Sequence, residues 1–377
     1  MNILISGGAG FIGGELALKL LEKGHTVTVL DNLSAQIHGE MPEESFLFLK
    51  IKDKCRFIHG DVRNISDWKQ AIEGQDIIVH YAAETGTGQS MYKINEYVQT
   101  NVTGTALLLD LLANEKHAVK KVLVASSRAI YGEGKYLDRA GKVHYPGSRN
   151  AEAMQQGIFD VINPASGEKL QVAATDEESK IHPSSVYGIT KQNQEDMILS
   201  VCKSLGIAAA ALRYQNVYGP GQSLKNPYTG ILSIFSTLFL NNQAVNIFED
   251  GQMTRDFVYI TDVVDATIAC IESEKVQNDY FNVGTGQATT VIEVANKLKA
   301  IYGSESSITI SGNFRIGDIR HNFADMHKIK ERIGFETKVS FSEGVALFSE
   351  WVKSQEIEKD NGYERSLAEM NKKGLFK

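Results

Sequence analysis

Short apolar runs of strand length alternate with amphipathic helical stretches through the first half of the chain, at residues 3–6, 15–23, 26–31, 77–82, 98–114 and 121–126. Strand and helix periods that take turns in this way predict a parallel sheet covered by helices, because each parallel crossover needs a long return connection. Residues 195–204 and 208–214 continue the rhythm with a helix and a strand, and 263–272 and 291–302 read as later helices. After about Tyr214 the alternation gives way to short strands, glycine turns and isolated helices. The expected fold class is therefore α/β, with a doubly wound parallel sheet in residues 1–215 and a smaller α/β part in 216–377. The boundary is soft, the elements interleave, and the smaller part is expected to pack at the carboxyl edge of the sheet.

Two stretches depart from the rhythm. Residues 133–184 are polar and glycine-containing, and far longer than the roughly 4–6 residues that usually join elements. They read as a functional or partly mobile insertion. Residues 356–377 are rich in charge and read as a surface helix or tail.

Composition narrows the class without changing the picture. A hydrophobic fraction of 42% beside 23% charged residues suits a globular enzyme. No run approaches the ~18 consecutive apolar residues of a membrane span. The N-terminal residues 1–6 lack the basic start and small-residue cleavage site of a signal peptide, so a cytoplasmic location is expected. A net charge of −7 argues against a broad nucleic-acid surface and leaves any anion site local. Cys55, Cys202 and Cys270 show no paired spacing, so neither a metal site nor a disulfide is expected.

Gly7-Gly8-Ala9-Gly10-Phe11-Ile12-Gly13 follows the first predicted strand and opens a helix. Glycines in that place let the backbone turn tightly and approach a pyrophosphate, while the first amides of the helix stay free for the anion. The second strand ends at Asp31, beside Asn32, about 20 residues on, where a carboxylate can accept hydrogen bonds from ribose hydroxyls. A negative charge there repels a 2′-phosphate and so favours NAD over NADP. Asp61 and Val62, and then Ala82 and Ala83, close later strands where the adenine edge and the middle of the cofactor would be met. The sheet expected is thus of the Rossmann type.

Tyr187-Gly188-Ile189-Thr190-Lys191 sets a phenol and an ammonium four residues apart, on one face if the segment is helical. A nearby cation favours phenolate, so the pair predicts a base for a sugar hydroxyl, with Lys191 lowering the tyrosine pKa. Upstream, the apolar strand 122–127 ends in Ser126 and Ser127 at the carboxyl edge.

With the fingerprint, the serine pair and Tyr-x-x-x-Lys in this order, the chain resembles the extended short-chain dehydrogenase/reductase family of nucleotide-sugar epimerases and dehydratases over roughly residues 1–353. The resemblance implies NAD as cofactor, a nucleotide sugar as substrate, and a homodimer built on the helices that begin near Glu96 and Ser185. It implies catalytic roles for Ser127, Tyr187 and Lys191, and a supporting role near the cofactor for Asn101 in Asn101-Val102-Thr103-Gly104-Thr105. Glu84 and Tyr214 are implied to touch the cofactor. Glu84, Ser127, Arg128, Asn216, Arg255, Arg315 and Asp318 are implied to touch the substrate.

Members of that family share a first oxidation and differ in the fate of the keto intermediate. The 4,6-dehydratases typically carry Asp-Glu directly after the catalytic Thr, and decarboxylases usually keep a glutamate at the second position. Here Arg128 and Ala129 stand there, which disfavours both and leaves epimerisation at C4. Segments 83–92, 126–134 and 215–231 resemble bacterial dTDP-L-rhamnose 4-epimerases, which interconvert dTDP-L-rhamnose and dTDP-6-deoxy-L-talose. A UDP-hexose or UDP-uronate 4-epimerase remains an alternative, with a 4,6-dehydratase or 4-keto-sugar reductase behind it. A nucleotide-binding regulator would be expected to lack Tyr187 or Lys191.

Overall fold

The computed structural model describes residues 1–226, 228, 230–357 and 362–377. Pro227 and Thr229 of the 215–231 segment, and 358–361 of the expected tail, lie outside the described residues. Seven strands form the central sheet: β1 (Asn2–Ser6), β2 (Thr26–Asp31), β3 (Arg56–His59), β4 (Ile77–His80), β5 (Lys121–Ser127), β6 (Ala208–Tyr214) and β7 (Asn278–Val283). Their order is β7-β6-β5-β4-β1-β2-β3, and every neighbouring pair is parallel. The order reverses between β1 and β4, which opens a crevice at the carboxyl ends of the strands.

The sheet is apolar on both faces, as a helix-covered parallel sheet must be. Ile3, Ile5, Val27, Val29 and Leu123 pack to one side with Leu16 and Leu20 of α1 (Phe11–Glu22). Leu4, Leu30, Ile78, Val122 and Val124 pack to the other. There they meet Trp68 of α2 (Ile65–Ile72), Leu108 of α3 (Gly104–Asn114) and Ile198 of α4 (Val186–Leu205). Further helices are α5 (Ile231–Leu240), α6 (Ile260–Glu272), α7 (Val291–Tyr302), α8 (Phe341–Lys353) and α9 (Tyr363–Lys372).

The helix expected at 195–204 starts nine residues earlier, at Val186. Ser185 caps it, its hydroxyl accepting from the Gly188 amide at 3.2 Å, so the Tyr187–Lys191 pair falls in the opening turns. The expected helix at 98–114 begins with a π-helical turn, Val98–Thr103, before α3. Strand β7 comes from beyond residue 216 and closes the sheet beside β6.

The 133–184 insertion carries short elements of its own. It forms a small antiparallel sheet in the order Val143–His144, Tyr136–Leu137, Gln171–Val172, over Tyr136, Val161 and Leu170. Buried charge fastens it to the second half of the chain. The Arg149 guanidinium bridges Glu133 at 3.1 Å and Glu249 at 2.7 Å and donates to the Asp318 carbonyl at 2.9 Å. Arg320 reaches the same Glu249 at 2.9 Å and Asp250 at 2.6 Å.

The tail forms the surface helix α9, which buries Tyr363, Ser366 and Met370. After α9 the chain returns alongside residues 314–316. The Phe314 amide donates to the Lys377 carbonyl at 2.8 Å, and the Lys377 amide to the Phe314 carbonyl at 3.0 Å. Among the described residues no helix is long and apolar enough to cross a membrane.

Candidate active site

The glycine turn after β1 is dictated by close backbone approach. Gly7 has φ +70°, and a Cβ there would lie 2.6 Å from the Ala82 amide nitrogen. A Cβ on Gly13 would stand 2.3 Å from the Gly7 carbonyl oxygen. Helix α1 starts at Gly10 without a side-chain cap, which leaves the amides of Phe11, Ile12 and Gly13 to an anion. Asp31 accepts from the Ala9 amide at 2.9 Å and the Leu33 amide at 2.8 Å, so its carboxylate braces the turn from the end of β2. Burial pushes its pKa up against those two amides.

Asn32 donates to Asp61 at 3.0 Å. Asp61 is also gripped by the Arg63 fork, which holds its carboxyl down to about 2. Val62 packs beneath Gly104, where a Cβ would come within 3.0 Å of its side chain. An uncapped helix start, a cradle that admits no Cβ and an acidic strand end together fit a dinucleotide.

Ser127 ends β5 with its hydroxyl accepting from the Ala129 amide at 3.1 Å. It lies against the Tyr187 phenol and favours its ionised form. The Tyr97 ring stands edge-on to Tyr187 at 6.5 Å, and its hydroxyl donates to the Gly86 carbonyl at 3.0 Å. Lys191 is almost wholly buried and donates to the Ala125 carbonyl at 2.9 Å, and burial draws its ammonium down to about 7.

Lys191 is expected to lower the tyrosine pKa, and in the structure its ammonium rests on a strand carbonyl. Burial raises the Tyr187 phenol, and the forces opposing it come from Ser127 and the Arg128 guanidinium. A desolvated ammonium takes a strong acceptor within reach, here that strand carbonyl.

Asn101 sits in the π-helical turn. It accepts from the Glu84 amide at 2.8 Å, and it donates to the Glu84 carbonyl at 3.1 Å and the Thr190 hydroxyl at 2.9 Å. It therefore ties the loop holding Ala83 and Glu84 to α4, and burial raises the Glu84 pKa. The phenol of Tyr214, a residue expected near the cofactor, is turned into the core. It bonds Tyr81 at 2.7 Å and Thr267 at 2.7 Å, because a buried hydroxyl requires partners.

A cavity brings Asn216, Arg255, Arg315 and Asp318 together with Phe248 and Tyr363. The Asn216 Oδ1 and Arg315 Nε atoms are buried without a protein partner, as is Nη1 of Arg128. Arg255 donates to the Thr254 and Arg320 carbonyls at 2.8 and 3.1 Å, while Arg315 lies over the Phe248 ring at 5.0 Å. Burial, with Arg255 next, lowers Arg128 to about 9, and Arg255 is lowered by its own burial. Asp318 and Glu133 partly offset these two buried guanidinium groups, and the unmatched donors of Arg128 and Arg315 beside them suit an anion.

One cavity thus gathers four of the expected substrate residues, Asn216, Arg255, Arg315 and Asp318, while Glu84, Ser127 and Arg128 do not line it. Sequence reasoning missed Tyr97, the Arg149–Glu249–Arg320 cluster behind Asp318, and the wall contributed by α9. These partners come from segments far apart in sequence, and no local pattern marks them.

A sequence model described as the NAD dependent epimerase/dehydratase family matches residues 3–151 and 150–284. The chain is 35% identical over 362 residues to a dTDP-L-rhamnose 4-epimerase of Burkholderia thailandensis, covering 96% of this chain and 97% of that protein. The UDP-glucose 4-epimerase of Thermotoga maritima, solved with UDP-glucose, superposes with a TM-score of 0.75 at 30% identity, over 94% of this chain and 99% of that one. The UDP-glucuronic acid 4-epimerase of Bacillus cereus, solved with UDP-glucuronic acid and NAD, does so with a TM-score of 0.76 at 25% identity, over 94% and 99%.

Proposed function

The chain belongs to the NAD dependent epimerase/dehydratase family, and from that membership we propose that it is a nucleotide-sugar 4-epimerase interconverting dTDP-L-rhamnose and dTDP-6-deoxy-L-talose. The observation that carries the reaction type is the pair Arg128-Ala129 directly after Ser127: neither position offers the carboxyl group that elimination or decarboxylation would use. The choice of sugar is supported by the likeness to the Burkholderia enzyme.

In this reading Tyr187 takes the proton of the C4 hydroxyl and returns it to the C4 oxygen of the product, with Ser127 sharing the hydrogen bond in both directions. NAD, when bound, supplies the hydride acceptor and donor. The Gly7–Gly13 turn, Asp31, Asn32, Asp61 and the Ala82–Glu84 loop hold the cofactor within residues 1–215. Lys191, on the carbonyl of Ala125, orients the strand end beside Tyr187. Asn216, Arg255 and Arg315 take the diphosphate within residues 216–377. Arg128, whose charge is felt by both Arg255 and Tyr187, steadies the phosphate nearest the sugar.

The reaction type is tested with a nucleotide sugar deuterated at C4. The epimer is expected to keep its deuterium at C4, with no reductant consumed, as read by NMR. Label appearing at C6, or lost to solvent, would contradict epimerisation. Offering dTDP- and UDP-sugars in parallel tests the substrate.

The proposed homodimer rests on the helices expected to form its interface, which leave Ile94 and Ile189 half exposed. Light scattering at micromolar concentration is expected to give twice the chain mass, and a monomer would remove the assignment.

A further inference from the structure

The cavity that holds Asn216, Arg255 and Arg315 is walled on one side by the far end of the chain. Tyr363 and Met370, both on α9, line it, and a Cβ placed on Gly88 would lie 3.2 Å from the Met370 sulfur. The helix is fastened over the site. Glu369 accepts from the hydroxyls of Tyr92 and Tyr228 at 3.2 Å each, and those two hydroxyls bond each other at 2.5 Å.

Beyond α9 the chain pairs with the segment that carries Arg315. The Ile316 amide donates to the Leu375 carbonyl at 3.0 Å, and Phe314 and Lys377 exchange both backbone bonds. Phe376 packs at 5.0 Å on Phe248, the ring over which Arg315 lies. The Tyr363 phenol also interacts directly with the Arg315 side chain. The last fifteen residues therefore set both the backbone and the side-chain direction of Arg315, whose Nε is buried without a protein partner.

We infer that Tyr363–Lys377 is a working wall of the nucleotide-sugar site, which encloses the ligand through Tyr363 and Met370 and holds Arg315 against its diphosphate. The inference rests on the nucleotide-sugar reading above. It makes α9 a determinant of affinity, distinct from the groups that act at C4. A segment serving stability alone would have no need to present Tyr363 and Met370 to a cavity bearing unmatched polar atoms.

The test compares the full chain with a variant ending at Gln355 and with Met370→Trp and Tyr363→Ala in the full chain. dTDP and UDP affinities are measured by calorimetry, KM and kcat by turnover, and bound NAD and thermal midpoint alongside. Loss of enclosure and of Arg315 positioning is expected to weaken nucleotide binding roughly 10–100-fold in the shortened chain. KM is expected to rise with kcat little changed in the point variants, with NAD content preserved throughout.

Nucleotide affinity within twofold of the full chain in both point variants would overturn the inference. If the shortened chain does not fold, those variants still decide. If the full chain binds NAD but neither dTDP nor UDP, the nucleotide-sugar reading fails and this inference fails with it. Tight nucleotide binding that none of the variants disturbs defeats this inference alone.

Discussion

Replacing Tyr187 by phenylalanine is expected to lower turnover by roughly 10²–10⁴ while folding and NAD binding persist. The ring stays because its place does not depend on the hydroxyl. Tyr187 is the second residue of α4, behind the Ser185 cap, and Tyr97 packs edge-on against it. What disappears is one oxygen facing Ser127, at a spot where burial already raises the cost of ionisation and Ser127 and Arg128 offset it. In water a phenol is almost wholly protonated at neutral pH, so the proposed catalysis depends on the neighbours that favour its ionised form. Steady-state rates, bound NAD and thermal midpoint measured together check the outcome. Near-normal turnover would mean that another group takes the C4 proton. Loss of NAD would mean that the hydroxyl supports the fold.

The second large effect is on stability. Arg213, on β6, is almost fully buried. Its guanidinium donates to Glu195 of α4 from Nε at 3.2 Å, to the Tyr131 hydroxyl at 2.7 Å and to the Glu177 carbonyl at 2.9 Å. It also lies over the Tyr280 ring at 4.2 Å. Arg213→Met removes one partner of a buried pair and leaves the Glu195 carboxylate without its cation, for which a loss of about 3–5 kcal/mol is expected.

Glu195→Gln added to Arg213→Met should recover part of that loss, because the stranded charge is gone. Urea unfolding of the single and double variants gives both numbers. A single variant within about 1 kcal/mol of the parent would show that the site relaxes or hydrates on losing the arginine. The pair also matters for the site, since it joins the helix bearing Tyr187 and Lys191 to the strand beside Ser127.

Several features were legible because they are local. Gly7 and Gly13 must be glycines since a backbone crossing within 3 Å tolerates no Cβ. The acidic residue at the end of β2 and the four-residue spacing of Tyr187 and Lys191 come from strand and helix geometry alone. The apolar runs that became β1, β2, β4, β5 and β6 announced a sheet buried on both faces, because neither face can then be polar. Arg128 and Ala129, read as letters after Ser127, carried the choice among reactions.

The rest waited on the fold. Strand β7, Asn-Asp-Tyr-Phe-Asn-Val, is an edge strand with a half-polar pattern, and only its pairing with β6 makes it a strand. Lys191 sits on the proper helical face for Tyr187, yet the carbonyl that captures it belongs to β5, 66 positions earlier. The Tyr214 phenol is held inward by two hydroxyls from distant segments, which no local pattern announces. Nothing local in the insertion announces that Arg149 meets Glu249, nor in the tail that Phe376 meets Phe248. Hydrogen bonds and ion pairs act over a few ångströms, so their partners are set by where the packed core brings distant segments together. The sequence alone determined which chemical groups this protein has to offer and the local turns that present them, and the tertiary structure decided which of them face one another.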